Sequence, residues 1–396
     1  MVKGKALPVP GKAAAKSGGS NPADENAKRI QAFVDDIDKK YGTGSAFYGK
    51  KHIKADVIST GSIALDKATG VGGFPKGRII EIFGPESSGK TTIALKYLAT
   101  AQAQGGLCAF IDMEQALDPI WAAKIGVDMD KLVFSQPESG EQAMDIVLSC
   151  IQSGLFTSIV VDSAAALTPR HEIEGDIGDS HVGLQARLIA QSLRKINMPL
   201  RQFNTTLVFT NQIRDKIGMT GYGPTTDTPG GRALKFYCSL RLDVRRIETL
   251  KTGEESTGTR VKVEVKKNKV APPFTKAEIT IRFATGISVV DEILDGAIDL
   301  GIVQKRGAFF KRGEETIGQG REKALDWLKN HPLDTFGMHN KLLESFGFSP
   351  LEVAPDYGGK QTEEEVHSDD DMLDMPVDLG QEPIFDEDEF NEDELD

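Results

Sequence analysis

The sequence has few cysteines and no long apolar runs. Only three cysteines are present in 396 residues, and Cys108, Cys150 and Cys238 form no C-x-x-C pair. This spacing argues against a disulfide framework and a zinc ribbon, and it predicts a reducing, cytoplasmic location. Because no stretch of about 18 apolar residues occurs, we expect no membrane-spanning helix. The first residues also lack the apolar segment of a secretory signal.

Positive charge is missing from the end of the chain. Residues 361–396 carry 17 Asp and Glu and no Lys or Arg, so this segment contributes a charge of −17. Because the net charge of the whole chain is −12, the other 360 residues carry a net charge of +5. A mildly basic body with an acidic tail fits a protein that binds a polyanion, with the tail competing for the same surface. A disordered tail that only keeps the chain soluble fits equally well.

The order of apolar segments predicts five regions along the chain. Residues 1–20 contain four lysines and no acid and are predicted to be a disordered basic arm. Residues 21–51 contain an amphipathic helix that needs either the body of the protein or a neighbouring subunit to cover its apolar side. A core domain over 52–288, a smaller α/β C-terminal domain over 289–350 and a disordered acidic tail over 351–396 complete the prediction.

Apolar strands alternate with amphipathic helices through the core domain. This alternation predicts an α/β fold in which a mostly parallel sheet is covered by helices on both faces. Later segments alternate apolar and polar residues with a period of two, at Val261–Val265 and again at Ile279–Phe283. That period is typical of antiparallel strands, which we expect at one edge of the sheet.

A glycine-rich loop is the strongest local signal for chemistry. It follows an apolar strand at Ile79–Phe83, opens a predicted helix and matches the pattern G-x4-G-K-[ST]. In such a loop backbone N–H groups surround a phosphate, the lysine reaches the outer phosphates and the threonine hydroxyl binds Mg²⁺. The pattern predicts a P-loop NTPase core, and the nucleotide-binding residues are Gly84, Pro85, Glu86, Ser87, Ser88, Gly89, Lys90, Thr91 and Thr92.

Two acidic residues follow apolar strands. Asp162 ends the strand Ser158–Val161, where a carboxylate completes the Mg²⁺ site of such sheets. A turn or helix-capping aspartate is the alternative interpretation. Glu114 lies just beyond the strand that ends at Ile111, where a carboxylate can orient the water that attacks a phosphate. An ordinary exposed acid is the alternative there.

Two loops without apolar periodicity are predicted to bind the backbone of a nucleic acid. Residues 213–231 are rich in glycine and proline, carry Arg214 and Lys216 and are followed by Arg232, while residues 172–181 precede Arg187 and Arg194. Loops near 20 residues inside a compact domain are usually functional or disordered, and disorder remains the alternative. Few aromatic residues accompany the charges, which predicts little base specificity. Gln212, at the start of the longer loop, is placed to sense a terminal phosphate.

Several long motifs, spread from about Asn26 to Pro332, resemble the bacterial RecA recombinase family. They are ISTGSIALD, GPESSGKTT, VVDSAAALTPRHEIEGDIGDSH, NQIR, PGGRALKFY, KKNKVAPPF and IGQG. The resemblance implies an ATP-dependent homologous recombinase that forms a helical filament on single-stranded DNA, pairs it with homologous double-stranded DNA and exchanges strands. It also implies ATP and Mg²⁺ as cofactors, docking of the first helix on an adjacent subunit, and a second role in stimulating self-cleavage of an SOS repressor.

The resemblance also implies roles for individual residues. Asp118 and Trp121 match the contacts on the adenine side, and Gln212 matches the γ-phosphate sensor. Lys267 and Lys269 match a pair that reaches the ATP of a neighbouring subunit. The positions that match residues lining single-stranded DNA are Arg187, Arg194, Arg214, Ile217, Gly218, Gly230, Gly231 and Arg232.

Two other functions remain compatible with parts of the sequence. A ring-forming motor of the same core type, such as a helicase, shares the phosphate loop, although the first helix and the lysine pair favour a filament. A DNA-binding regulator with a weak ATPase would not need Lys90, Thr91, Glu114 and Asp162 together, and all four are present.

Overall fold

The computed structural model describes residues 22–42, 45–46, 48, 55–176, 183–215 and 226–358. The basic arm, most of residues 43–54, parts of both predicted DNA loops and most of the acidic tail lie outside these ranges. The chain divides after Gly286 into two compact units. Within the described ranges, no helix is both long enough and apolar enough to cross a membrane.

The helices of the first unit alternate with strands, and some of them begin at polar caps. The Ser62 and Ser139 hydroxyls accept hydrogen bonds from the backbone N–H groups of Leu65 and Gln142, which fixes two helix starts. Gly126 ends another helix at φ 106°, a value that favours glycine. The helices are α1 (Pro22–Tyr41), α2 (Ile63–Thr69), α3 (Lys90–Ala103), α4 (Pro119–Ile125), α5 (Gly140–Gln152), α6 (Arg170–Glu174), α7 (Leu184–Phe203) and α8 (Gly231–Tyr237).

The strands of the first unit form one large sheet and two small pairs. They are β1 (Val57–Ile58), β2 (Phe74–Pro75), β3 (Ile79–Gly84), β4 (Leu107–Asp112), β5 (Leu132–Ser135), β6 (Phe156–Asp162), β7 (Thr206–Gln212), β8 (Arg214–Asp215), β9 (Thr226–Asp227), β10 (Leu240–Thr252), β11 (Glu255–Asn268), β12 (Lys276–Arg282) and β13 (Gly286–Ile287). The large sheet has the order β13-β12-β11-β10-β3-β7-β6-β4-β5, while β1 pairs with β2 and β8 with β9.

The large sheet is parallel in one part and antiparallel in the other. Strands β10, β3, β7, β6, β4 and β5 pair in parallel, and β11 pairs antiparallel with both β10 and β12. The α/β fold with a mostly parallel sheet is therefore confirmed, as are the antiparallel strands at one side. The order also places β3 between β7 and β10, which follow it by more than 120 residues in the sequence.

Helices cover both faces of the parallel part. Helices α5, α7 and α8 bury residues such as Val147, Leu193 and Leu234 in one cluster with Ile159 and Val161 of β6. On the other face α3 packs against β3, β4, β6 and β7. Helices thus cover strands β3, β4, β6 and β7 on both faces, which leaves the strand ends as the places where their polar side chains can meet a ligand.

The second unit is a small α/β arrangement. Its elements are α9 (Val289–Asp299), β14 (Gln304–Arg306), β15 (Phe309–Arg312), β16 (Glu315–Gln319), α10 (Arg321–Asn330) and α11 (Pro332–Ser345). The three strands pair antiparallel in sequence order. Ile293, Phe310, Leu325 and Leu342 are buried between them and the helices.

Candidate functional site

Four parallel strands end at the same edge of the sheet, and each end carries a predicted site residue. Strand β3 ends at Gly84, β4 runs on towards Glu114, β6 ends at Asp162 and β7 ends at Gln212. Gly84 lies beside Gln212 in the β3–β7 register. The sheet order therefore assembles one site from residues that are far apart in the sequence.

The glycine-rich loop turns tightly between β3 and α3. An added Cβ at Gly84 would lie 2.2 Å from the Val244 carbonyl oxygen, so only glycine allows β10 to approach this closely. Gly89 has φ +94°, and an added Cβ there would lie 2.5 Å from Ile281 Cδ1. Ser87 also has a positive φ of 53°. These conformations give the loop the concave backbone that anion-binding loops need.

Two side chains of this loop are held in partly or fully buried positions. The Ser88 hydroxyl is buried and has no hydrogen-bond partner among the described residues. The Lys90 Nζ atom donates a hydrogen bond to the Pro85 carbonyl oxygen at 2.7 Å. Burial lowers the pKa of Lys90, and the nearby carboxylates of Asp162, Glu114 and Glu86 oppose that shift. An unpartnered buried hydroxyl and a half-buried ammonium fit a loop that binds an oxyanion.

Asp162 joins the loop to the neighbouring strands. Its Oδ2 atom accepts a hydrogen bond from Thr91 Oγ1 at 2.6 Å, and its Oδ1 atom accepts one from Thr210 Oγ1. Burial raises the pKa of this carboxyl, although both hydroxyl donors oppose the shift. The arrangement brings one hydroxyl and one carboxylate together, which are the oxygen ligands that Mg²⁺ prefers.

Glu114 lies where two of the other strand ends meet. Its Oε1 atom accepts hydrogen bonds from Ser163 Oγ at 2.5 Å and from Gln212 Nε2 at 3.2 Å. Its backbone is held as well, because Glu114 N donates to the Asp162 carbonyl oxygen at 3.3 Å. The side chain is exposed at this edge. An oriented, solvent-accessible carboxylate of this kind can bind and direct a water molecule.

The residues present fit a nucleotide with a magnesium ion. The fit rests on the positive φ angles of Ser87 and Gly89 in the glycine-rich loop, on the unpartnered Ser88 hydroxyl and on the Thr91–Asp162 oxygen pair. No group of three or more His, Cys, Asp or Glu side chains able to hold a metal occurs within the described part of the chain. The Thr91–Asp162 oxygen pair suits Mg²⁺, which is commonly held by one or two protein oxygens together with phosphates and water.

Asp118 and Trp121, the residues predicted to lie on the adenine side, are at the start of α4. The Asp118 carboxylate caps this helix by accepting a hydrogen bond from Ile120 N at 2.8 Å. Trp121 is half-buried in the first turn. A contact of either residue with adenine stays a prediction.

Lys267 and Lys269 contact the C-terminal end of α8. Lys267 Nζ donates to the carbonyl oxygens of Lys235 at 2.5 Å and Phe236 at 3.1 Å, and Lys269 Nζ donates to Phe236 at 2.9 Å. Burial and the neighbouring Lys269 lower the pKa of Lys267. Both ammonium groups therefore stabilise the negative end of the helix within their own subunit. Their predicted contact with a neighbouring ATP stays a prediction.

The two predicted DNA loops have neighbouring ends. Strands β8 and β9 pair Arg214 with Asp227 and so close the base of the longer loop. An added Cβ at Gly230 or Gly231 would lie 3.0 Å from Ile189 Cδ1 or from Ala186 Cβ respectively, so the end of this loop packs on the first turns of α7. Helix α7 itself follows the shorter loop.

The predicted DNA-binding arginines lie around this contact. Arg187 and Arg194 are seven residues apart on α7 and are exposed, as is Arg232 on α8. Within the described ranges none of these three guanidinium groups forms an ion pair. Ile217, Gly218 and the side chain of Arg214 lie outside the described residues. The shorter loop also begins later than predicted, because Glu172–Glu174 are the end of α6.

The structure adds two hydroxyl residues that the motifs did not single out. Ser163 binds the Glu114 carboxylate and Thr210 binds the Asp162 carboxylate. Thr210 had a weak signal in the sequence, since it is a polar residue near the end of the apolar segment Leu207–Phe209. Ser163 had none beyond its place after Asp162, because its partner Glu114 is 49 residues away.

Comparison with known proteins gives consistent matches over most of the chain. The RecA N-terminal domain family matches residues 28–288, and the RecA C-terminal domain family matches residues 291–347. The chain is similar to proteins named Protein RecA from Sulfurovum sp. (strain NBC37-1), with 52% identity over 82% of this chain and 94% of the relative. A relative of the same name from Rubrobacter xylanophilus is 54% identical over 78% of this chain and 90% of its own length. One from Clostridium novyi is 51% identical over 84% of this chain and 95% of its own.

Proposed function

The chain belongs to the RecA family of recombinases and DNA-dependent ATPases, and we propose that it hydrolyses ATP with Mg²⁺ at one edge of the large sheet. The site at this edge contains Lys90, Asp162, Glu114 and Gln212. The observation that carries this proposal is the meeting of two hydrogen-bonded pairs at one place. Thr91 and Asp162 form the first pair, and Glu114 and Gln212 form the second. One pair suits a metal ion and the other suits a water molecule.

Each residue has a defined task in this proposal. The backbone of Gly84–Thr91 and the Lys90 ammonium hold the β- and γ-phosphates, and Thr91 with Asp162 holds the metal. When bound, Mg²⁺ neutralises charge that develops on the phosphate oxygens. Glu114 orients the attacking water, and Ser163 keeps the carboxylate in place. Gln212 lies beside Glu114 and at the start of the longer DNA loop, so it is placed to respond to both nucleotide and DNA.

The DNA substrate is proposed to lie across the ends of the two loops. Arg187 and Arg194 on α7 and Arg232 on α8 are exposed and belong to the two helices that meet where Gly230 and Gly231 pack on α7. Their positive charges favour contact with a phosphate backbone. Single-stranded DNA is the proposed first partner and homologous double-stranded DNA the second. The protein would polymerise as a helical filament and act in the cytoplasm, and stimulation of SOS repressor self-cleavage is a further proposed role.

Two measurements test the proposal together. ATP hydrolysis is followed with and without single-stranded DNA for the wild type and for the variants Lys90→Ala and Glu114→Gln. We expect strong stimulation by DNA in the wild type and loss of hydrolysis in both variants, with nucleotide binding retained only in Glu114→Gln. Electron microscopy of the nucleotide-bound DNA complex should show filaments, whereas closed rings would favour a helicase-like motor. Hydrolysis that is indifferent to DNA would refute the assignment of the loops.

A further inference from the structure

A buried carboxylate lies in the middle of the central strand, three residues before the glycine-rich loop. Glu81 of β3 is fully buried, although every other residue of this strand is apolar or glycine. Both of its oxygens are used: Oε1 accepts a hydrogen bond from Asn211 Nδ2 at 2.9 Å, and Oε2 accepts one from Arg241 Nε. Asn211 belongs to β7 and Arg241 to β10, so Glu81 links the strands on both of its sides.

Both partners of Glu81 continue to the end of the longer loop. Asn211 Nδ2 also donates to the Pro229 carbonyl oxygen at 3.0 Å. Arg241 Nη2 donates to Thr228 Oγ1 at 3.4 Å, and its guanidinium lies 4.5 Å from the centre of the Phe83 ring. Residues 228 and 229 lie directly after the strand that closes the base of the loop. The carboxylate therefore holds the loop end by two separate routes.

Glu81, Asn211 and Arg241 together form the Glu81 cluster, which also reaches the start of the loop. The Asn211 side chain uses its Oδ1 atom to accept a hydrogen bond from Gln212 N at 3.0 Å. Gln212 in turn donates its side-chain amide to Glu114. The Asn211 side chain thus contacts the Pro229 carbonyl at the loop end, the buried Glu81 carboxylate and the backbone of Gln212.

A buried ion pair is a costly way to stabilise a sheet. Apolar residues of similar volume in such a position often give equal or greater stability, because desolvation of the two charges offsets their attraction. The Glu81–Arg241 pair instead provides fixed geometry, since its hydrogen bonds join β3 to Asn211 of β7 and to Thr228 at the loop end.

We propose that Glu81 and Arg241 are positioning residues that couple the occupancy of the longer loop to the Gln212–Glu114 pair. The inference rests on the function proposed above and adds the physical link between its two sites. When DNA fixes residues 228–229, the Glu81 cluster holds Asn211, and with it the Gln212 backbone, in the orientation that aligns Glu114. The coupling is carried by a continuous chain of hydrogen bonds rather than by proximity alone.

The test compares hydrolysis with and without single-stranded DNA in the full-length protein. Glu81→Gln keeps the volume of the side chain but replaces one acceptor oxygen with a donor, so one of the two links is lost. Arg241→Lys keeps the charge opposite Glu81 but lacks the second nitrogen that reaches Thr228. In both variants we expect the ratio of DNA-stimulated to basal rate to fall by roughly 3- to 30-fold. The basal rate and the KM for ATP should stay close to wild type.

A matched control separates coupling from ordinary stability. Thr205 is also buried and its hydroxyl donates to the Phe156 carbonyl oxygen at 2.7 Å, but it lies directly before β7, at the end opposite Gln212. Thr205→Val should lower the melting temperature and leave the stimulation ratio unchanged. Thr228→Val, a milder change, should lower the ratio without a comparable loss of stability and serves if Glu81→Gln does not fold.

Four results would decide the matter. A reduced ratio at normal basal rate, seen in Arg241→Lys or Thr228→Val but not in Thr205→Val, supports the proposal. An unchanged ratio in folded variants overturns it, as does a parallel fall in basal rate, stimulated rate and melting temperature. A wild type without DNA stimulation would instead overturn the proposed function, and this inference with it.

Discussion

The contact between Ser163 and Glu114 makes a quantitative prediction about hydrolysis. Ser163→Ala removes the shorter of the two hydrogen bonds to Glu114 Oε1, the one of 2.5 Å, and leaves the 3.2 Å bond from Gln212. Because its acceptor is a carboxylate, this hydrogen bond is charge-assisted, and such bonds contribute about 1.5–3 kcal/mol. Because Glu114 is exposed, we take the lower end, about 1.5 kcal/mol, which corresponds to roughly a tenfold change in rate.

The expected effect falls on the chemical step rather than on binding. Ser163 bonds to Glu114 and not to the glycine-rich loop, so Ser163→Ala should lower kcat for DNA-stimulated ATP hydrolysis about tenfold and leave KM for ATP unchanged. The assay is a coupled ATPase measurement at saturating single-stranded DNA, with nucleotide affinity measured separately by fluorescence.

Ser139→Ala is the matched control for this substitution. Ser139 is also buried, but its hydroxyl caps α5. Its loss should reduce stability by about 1 kcal/mol without a change in kcat. A Ser163→Ala protein with wild-type kcat, or one in which only KM rises, would refute the argument that Ser163 holds the carboxylate that orients water.

Further predictions concern stability and charge. Burial lowers the pKa of His339 from 6.5 to about 4, so the unfolded chain binds more protons between these values. Urea unfolding of the C-terminal unit should therefore show a loss of up to about 3 kcal/mol as pH falls from 6.5 to 4, and His339→Leu should remove this dependence. Gly337 lies inside α11 with open space at its Cβ position, so Gly337→Ala should stabilise that helix by about 1 kcal/mol in thermal unfolding. Gly296→Ala would instead place a Cβ 2.4 Å from Leu342 Cδ2 and should destabilise the C-terminal unit. Deletion of residues 361–396 should strengthen binding to double-stranded DNA at low Mg²⁺ in a filter or anisotropy assay, and unchanged binding would contradict competition by the acidic tail.

Strands β4 and β6 could be predicted from the sequence because each is an apolar segment that ends at a polar residue. The sequence predicts β6 at Ser158–Val161, and the strand extends over Phe156–Asp162. Propensity and burial determine such segments locally. Their ends depend on pairing with neighbouring strands, which a single sequence does not display.

The contacts within the site could not be predicted in the same way. Gln212 and Glu114 are 98 residues apart, and only the order of strands brings them together. The contact of Lys267 and Lys269 with α8 depends similarly on where β11 lies relative to that helix. The Glu81 cluster gave one local signal, a single acid inside an otherwise apolar strand, but its partners are 130 and 160 residues away.

The position of β3 in the sheet has a consequence for synthesis of the chain on the ribosome. Strand β3 is complete at Gly84, yet both strands that flank it, β7 and β10, begin only at Thr206 and Leu240. At roughly 5–20 residues per second, the apolar segment Ile79–Gly84 waits roughly 6–24 s for its first neighbour. During that interval a nascent chain carries the phosphate-loop strand with two open edges, the state in which strands are most prone to wrong pairing. Helix α3, which packs on β3 and is complete at Ala103, can cover one face of this segment before residue 206 emerges.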